Sequence, residues 1–240
     1  MELTASATEL NQIGVAAFIL DSFTGRAVEG SRANVNQVPA LDSLEDAYRA
    51  LELLSKHPRI DPARIAVLGF SRGAIPALYA SSKRFQALHG PAGVEFAVYL
   101  AFYAPCVTTY IDDGNVSNNP IRLFHGTADD TVPVQACRQY VERLRKAGKD
   151  ATLTEYPDSY HRFDDLGLKS PVFQPQAQSF RSCTLEERPI GKIINQKTGR
   201  PFTPDDPCLE RGATVALNAD AQRDSMRQVK EFLTQAFKLK

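Results

Sequence analysis

The chain has 240 residues, 43% of them hydrophobic and 23% charged, enough to bury one full-sized core, so it reads as one domain over residues 1–240. Lys and Arg total 28 and Asp and Glu total 28, which leaves no surplus of positive charge for nucleic-acid phosphates or an anionic membrane. No run approaches the ~20 apolar residues of a bilayer span, and "MELTASATEL" lacks the basic and apolar regions of an export signal.

In chain order, "IGVAAFIL" (Ile13 to Leu20) is a continuous apolar run and predicts a strand buried on both faces of a parallel sheet. Leu41, Leu44, Tyr48, Leu51 and Leu54 recur at three- and four-residue steps and predict an amphipathic helix. "RIAVLGF" predicts a second buried strand. It runs into "GFSRG" (Gly69 to Gly73) and then "RGAIPALYASS", a helix former that tolerates Pro76 in its first turn.

"FAVYLAFY" (Phe96 to Tyr103), "IRLFHG" and "ATLTEYP" predict three more strands, with a helix on Val134, Cys137, Val141 and Leu144 between the last two. Residues Leu166 to Asn218 are polar and show no sustained period, so they predict an irregular insertion, either a lid or an ordered excursion that needs a tie. Met226, Val229, Leu233 and Phe237 predict a closing helix. Strands alternating with helices imply an α/β class, with a mostly parallel open sheet covered on both faces.

Cys106, Cys137, Cys183 and Cys208 form no CxxC pair and suggest no zinc site. A Cys183–Cys208 bridge would tie the insertion and contribute roughly 3 kcal/mol through loop closure. Cys106 and Cys137 are open between a second bridge and a buried free thiol on the helix stripe.

Ser71 sits between a buried strand and a helix, flanked two residues away by Gly69 and Gly73, the arrangement of a nucleophile elbow. There the backbone N–H of Arg72 would face a developing oxyanion. A serine needs an imidazole to take its proton and a carboxylate to orient that imidazole. Asp129 in "LFHGTADDTVP" and His161 in "TEYPDSYHRF" each lie just beyond an apolar strand, in the order Ser, Asp, His. The rivals have plainer readings: Asp130 as a helix cap, Asp158 in a turn with Pro157, His125 as a hydrogen-bonded structural group, His57 and His89 as exposed loop residues. Phe70, Arg72, Tyr103, Tyr110 and Tyr160 fall near strand ends, where they line a pocket or pack a core or rim.

"IGVAAFILDSFTGR", "RIDPARIAVLGFSRG", "LFHGTADDTVP" and "YPDSYHRF" resemble, in order, signature blocks of the dienelactone hydrolase family of α/β-hydrolases. The likeness covers roughly residues 5 to 165 and the last helix. It implies an α/β-hydrolase fold, a Ser71–His161–Asp129 triad, cleavage of a small-molecule carboxylic ester or lactone, and no cofactor or metal. The chain departs from the family's namesakes in having Ser71 for their nucleophilic cysteine, and Asp165 where they carry an arginine for the substrate carboxylate. Family members also have further strands before the first block. The resemblance therefore implies an N-terminally incomplete domain and, with paired cysteines, export of the full protein if a leader precedes it and a cytoplasmic place otherwise. "HGTADD" also resembles the acid loop of acyl-peptide hydrolases, which makes a peptidase the rival enzyme and a non-catalytic or truncated hydrolase fold the rival from another class.

Overall fold

The computed structural model describes residues 3–28 and 38–239. Helices α1 (Leu3–Asn11) and α2 (Asp42–Ser55) precede strand β1 (Ala66–Phe70), which leads through a tight turn into α3 (Ala74–Tyr79) and α4 (Lys83–His89). Then come β2 (Val98–Phe102), β3 (Thr108–Thr109), β4 (Ile121–Gly126), α5 (Val134–Lys146) and β5 (Ala151–Tyr156). Five strands follow, β6 (Val172–Ser179), β7 (Leu185–Glu187), β8 (Ile193–Asn195), β9 (Arg200–Pro201) and β10 (Glu210–Val215), before α6 (Ala219–Phe237).

The central sheet is parallel in the order β1-β2-β4-β5. The central strand β2 is apolar and buried throughout because its alternate residues face helices on both sides of the sheet. Tyr99 and Ala101 of β2 join Leu44, Leu51, Leu78, Val141 and Leu144 in a core on the face of α2, α3 and α5. Val98, Leu100 and Phe102 turn to the other face and meet Leu10 of α1 with Val229, Leu233 and Phe237 of α6. Most of each stripe read in the sequence on α2, α5 and α6 thus packs into these two cores, whereas Leu41, just before α2, is exposed. No helix among the described residues is long and apolar enough to cross a membrane.

Two sequence expectations are corrected. Residues Ile13 to Leu20 do not form a buried strand. Ile13 and Gly14 turn at the end of α1, where the Gly14 N–H donates to the Asn11 carbonyl. Among the described residues, 15–20 pair with no strand, and Phe18 and Ile19 are about half exposed, at 54% and 50%. Apolar content makes a strand only where a neighbour completes its ladder. Here β1 is the edge of the sheet.

The stretch from Leu166 to Asn218 is not irregular but the ordered excursion with a tie, one of the two readings the sequence left open. β6 and β10 form an antiparallel ribbon, and β7, β8 and β9 join β3 in a second small sheet. β7, β8 and β9 are only two or three residues long and β6 is mostly exposed, so they show no period in sequence. Their ties are specific. Cys183 and Cys208 lie at disulfide-bonding distance beside Val107 and Leu185. Buried Glu187 pairs with Arg84 and accepts from the N–H groups of Ile111 and Gly191. Cys106 and Cys137 are also at disulfide-bonding distance, joining the segment after β2 to α5 within the core.

Candidate active site

The end of β1 turns sharply at Ser71, whose φ of 52° lies in the left-handed region. A non-glycine residue there carries about 1–3 kcal/mol of strain, which the surrounding packing must hold in place. Gly69 makes the turn possible, because a Cβ on it would lie 1.9 Å from the Gly73 carbonyl oxygen. Gly73 plays a different part from the one its spacing suggests. A Cβ there would meet nothing within 4 Å, so what matters at position 73 is the closeness of its backbone.

Asp129 lies in the loop after β4 and is buried, at 7% exposure. Its Oδ1 accepts the N–H groups of Thr131 and Val132, so the loop wraps its own carboxylate. His161 lies in the loop after β5, where Asp158 and Arg162 both adopt positive φ. Gly126 lets the two loops touch: a Cβ on it would sit 2.1 Å from the Ser159 carbonyl oxygen, which also accepts the Ala128 N–H.

The three side chains meet. Ser71 Oγ is 2.8 Å from His161 Nε2, and His161 Nδ1 is 2.8 Å from Asp129 Oδ2. The ionised carboxylate can only accept, so it fixes the proton on Nδ1 and leaves the Nε2 lone pair to accept from the Ser71 hydroxyl. Burial alone would push the Asp129 carboxyl up. Electrostatic attraction to His161 and hydrogen bonds from His125 and His161 outweigh it, and the group is held well below the usual carboxylate range.

The remaining predicted residues divide. The Tyr103 ring packs edge-on against His161, with centroids 4.6 Å apart, and its hydroxyl donates to Asp164 at 2.7 Å. Burial raises the Asp164 carboxyl. Phe70 and Tyr103 both line the cavity over Ser71. Tyr110 instead packs edge-on against Tyr79 and Phe85. The Arg72 guanidinium turns away to the Val38 carbonyl and the Phe23 ring, leaving its backbone beside Ser71. His125 is fully buried, with Nε2 3.0 Å from the Val132 carbonyl and 3.4 Å from Asp129 Oδ2. Asp165 binds Arg162, which itself faces the cavity.

Asp130 caps no helix. The N-terminal position of α5 is Pro133, with no side-chain cap, and Asp130 Oδ1 accepts the Thr214 N–H of β10 at 2.8 Å. Val215 of the same strand bridges His161 in parallel fashion, and the Ala216 N–H donates to the His161 carbonyl. Sequence reasoning missed this support from β10, because no local pattern links residues 130, 161 and 215.

Comparison with known proteins puts this geometry in context. The phospholipase/carboxylesterase family model matches residues 41–170, a span that takes in Ser71, Asp129 and His161. Acyl-protein thioesterase 1 of Emericella nidulans is 28% identical over 149 residues, 60% of this chain and 61% of that protein. Inactive dipeptidyl peptidase 10 of Mus musculus is 28% identical over 167 residues, 60% of this chain and 20% of that protein. The chain therefore spans about a fifth of the mouse relative and about three fifths of the fungal one. Among solved structures, the dienelactone hydrolase-like promiscuous phosphotriesterase P91 from metagenomic libraries superposes with a TM-score of 0.54 at 13% identity, covering 87% of this chain and 70% of that one. Esterase 2 of Thermogutta terrifontis gives a TM-score of 0.46 at 24% identity, covering 58% of this chain and 61% of that one.

Proposed function

The chain belongs to the phospholipase/carboxylesterase family of α/β-hydrolases, and from that premise we propose that it is a serine hydrolase of carboxylic esters or lactones acting through an acyl-enzyme. The observation that carries this reading is the unbroken relay Ser71 Oγ, His161 imidazole, Asp129 carboxylate, with both contacts at 2.8 Å.

In this mechanism His161 Nε2 takes the Ser71 proton as Oγ attacks the acyl carbon. Asp129, held ionised, stabilises the imidazolium that forms. The Arg72 N–H, next after the nucleophile, donates to the oxyanion, a contact worth roughly 10²- to 10³-fold in turnover. His161 then returns the proton to the leaving alcohol, and water activated by the same imidazole releases the acid. The strained φ of Ser71 holds Oγ clear of the sheet before substrate arrives, so little reorganisation is needed on attack.

The four sequence blocks support a finer kinship with the dienelactone hydrolases, in a branch with a serine nucleophile. Asp165 stands where the namesakes carry arginine and is engaged by Arg162. This favours uncharged esters over dienelactone itself.

Labelling with a fluorophosphonate probe tests the proposal. Adduct formation at Ser71 and hydrolysis of p-nitrophenyl acetate, both lost in Ser71→Ala, are expected. A folded protein that takes no label and hydrolyses neither oxygen esters nor thioesters overturns it.

A further inference from the structure

The cavity over Ser71 and His161, about 370 Å³, falls within the ~300–1,000 Å³ range of sites that hold small molecules. The elbow and the end of β2 supply only part of its wall, Phe70 and Tyr103. Gln174 and Ala177 of β6 and Val215 of β10 supply the facing part. The stretch between β5 and α6 thus builds one side of the site.

A regular strand cannot do this with those residues, since positions three apart point to opposite faces. The ribbon is irregular where it matters. Gln178 pairs with Arg211 and Gln174 with Ala213, so Pro175, Gln176 and Ala177 stand opposite Gly212 alone. Pro175 has no N–H for the ladder, and the Gln176 carbonyl accepts from the Arg211 guanidinium at 3.0 Å. Gly212 has a φ of +90°, and a Cβ there would come within 2.7 Å of the Phe173 ring. Bulges re-aim side chains, and this one brings Gln174 and Ala177 to the same cavity.

The ribbon is also fixed relative to the proton relay. The Thr214 N–H donates to Asp130 Oδ1, the Ser179 hydroxyl to the Asp130 carbonyl, and the Phe180 N–H to the Thr131 carbonyl. Its wall therefore keeps one register against Ser71 and behaves as a preset surface.

We infer that the bulged strand β6 determines the substrate specificity of the site: Ala177 leaves room for an unbranched apolar arm of the ester, and the Gln174 carboxamide recognises a hydrogen-bonding group on that arm. The inference rests on the hydrolase reading above. It adds the class of substrate, an uncharged ester whose acyl or alkyl arm runs along the ribbon.

The test measures kcat/KM for p-nitrophenyl acetate, butyrate and octanoate, which vary the acyl arm, and for ethyl, butyl and octyl acetates, which vary the alcohol arm. Ala177→Phe is expected to lower the octanoate-to-acetate ratio or the octyl-to-ethyl ratio tenfold or more in one of the two series, which identifies the arm. Gln174→Leu, at a half-buried ribbon position, is expected to move the ratio between an octanoate ester and an isosteric ester with an amide in its chain at least fivefold toward the octanoate. Wild-type ratios in both variants, with the wild-type protein turning over ester, overturn the ribbon's role and leave the hydrolase reading standing. A wild-type protein that neither takes the probe at Ser71 nor turns over any ester overturns both.

Discussion

Gly69 and Gly73 face each other across the turn at Ser71 so closely that a Cβ on the first would penetrate the carbonyl of the second, 1.9 Å from its oxygen, while a Cβ on the second would stand in open space. The pair is symmetric in sequence and asymmetric in space. Gly69→Ala must displace backbone, so it is expected to cost about 1–3 kcal/mol and to reduce labelling of Ser71. Gly73 has an ordinary helical φ of −68°, and Gly73→Ala is expected to be neutral or to stabilise by about 0.4–1 kcal/mol. Thermal unfolding of both variants checks this, and equal damage from the two would refute the steric account.

Asp129 makes a prediction about pH. Its carboxyl is held below the usual carboxylate range in the folded protein, so the folded state binds fewer protons here than the unfolded chain. The stability it contributes is fully present above the unfolded value of about 3.9 and is lost as pH falls through the lower folded value. The stability gap between wild type and Asp129→Asn is therefore expected to be widest near neutrality and to narrow below about pH 4. Urea unfolding at several pH values measures it. Turnover should fall on the order of 10³- to 10⁴-fold, because an amide can orient its N–H toward Nδ1 and select the wrong tautomer.

Asp130 couples the acid loop to β10, the strand that bridges His161. Removing the acceptor leaves the Thr214 N–H without its partner, at a cost of about 1–3 kcal/mol. Asp130→Ala is expected to speed amide exchange at Thr214 and Ala216 while leaving β2 and β4 protected. Exchange rates at Thr214 equal to wild type would show that the tie is not needed.

Cys183 and Cys208 close the stretch that carries β7, β8 and β9. Cys183→Ser is expected to lower stability by roughly 3 kcal/mol at most. Limited proteolysis should then cut first between residues 183 and 208, where the chain rests on the small cluster of Val107 and Leu185. First cleavage within the central sheet would contradict this ranking.

The meeting of Ser71, Asp129 and His161 was legible because each lies just beyond a stretch read as a strand, "RIAVLGF", "IRLFHG" and "ATLTEYP", and the loops beyond such strands are where an open parallel sheet gathers side chains. Asp130, Val215 and Gln174 were not. Their parts depend on contacts between distant segments, and each looks locally like a cap, a strand residue or a loop amide.

What the sequence determined by itself is the set of elements whose burial repeats along the chain: strands β1, β2, β4 and β5, and the apolar stripes of α2, α5 and α6. Periodicity records which face of an element leaves water, and that needs no knowledge of the partner. Only the tertiary structure decided that 15–20 lacks a ladder, that β6 and β10 wall the cavity, and that three side chains close to 2.8 Å contacts. Pairing and register are relations between segments. Their free energy resides in hydrogen bonds and contacts that no single segment contains.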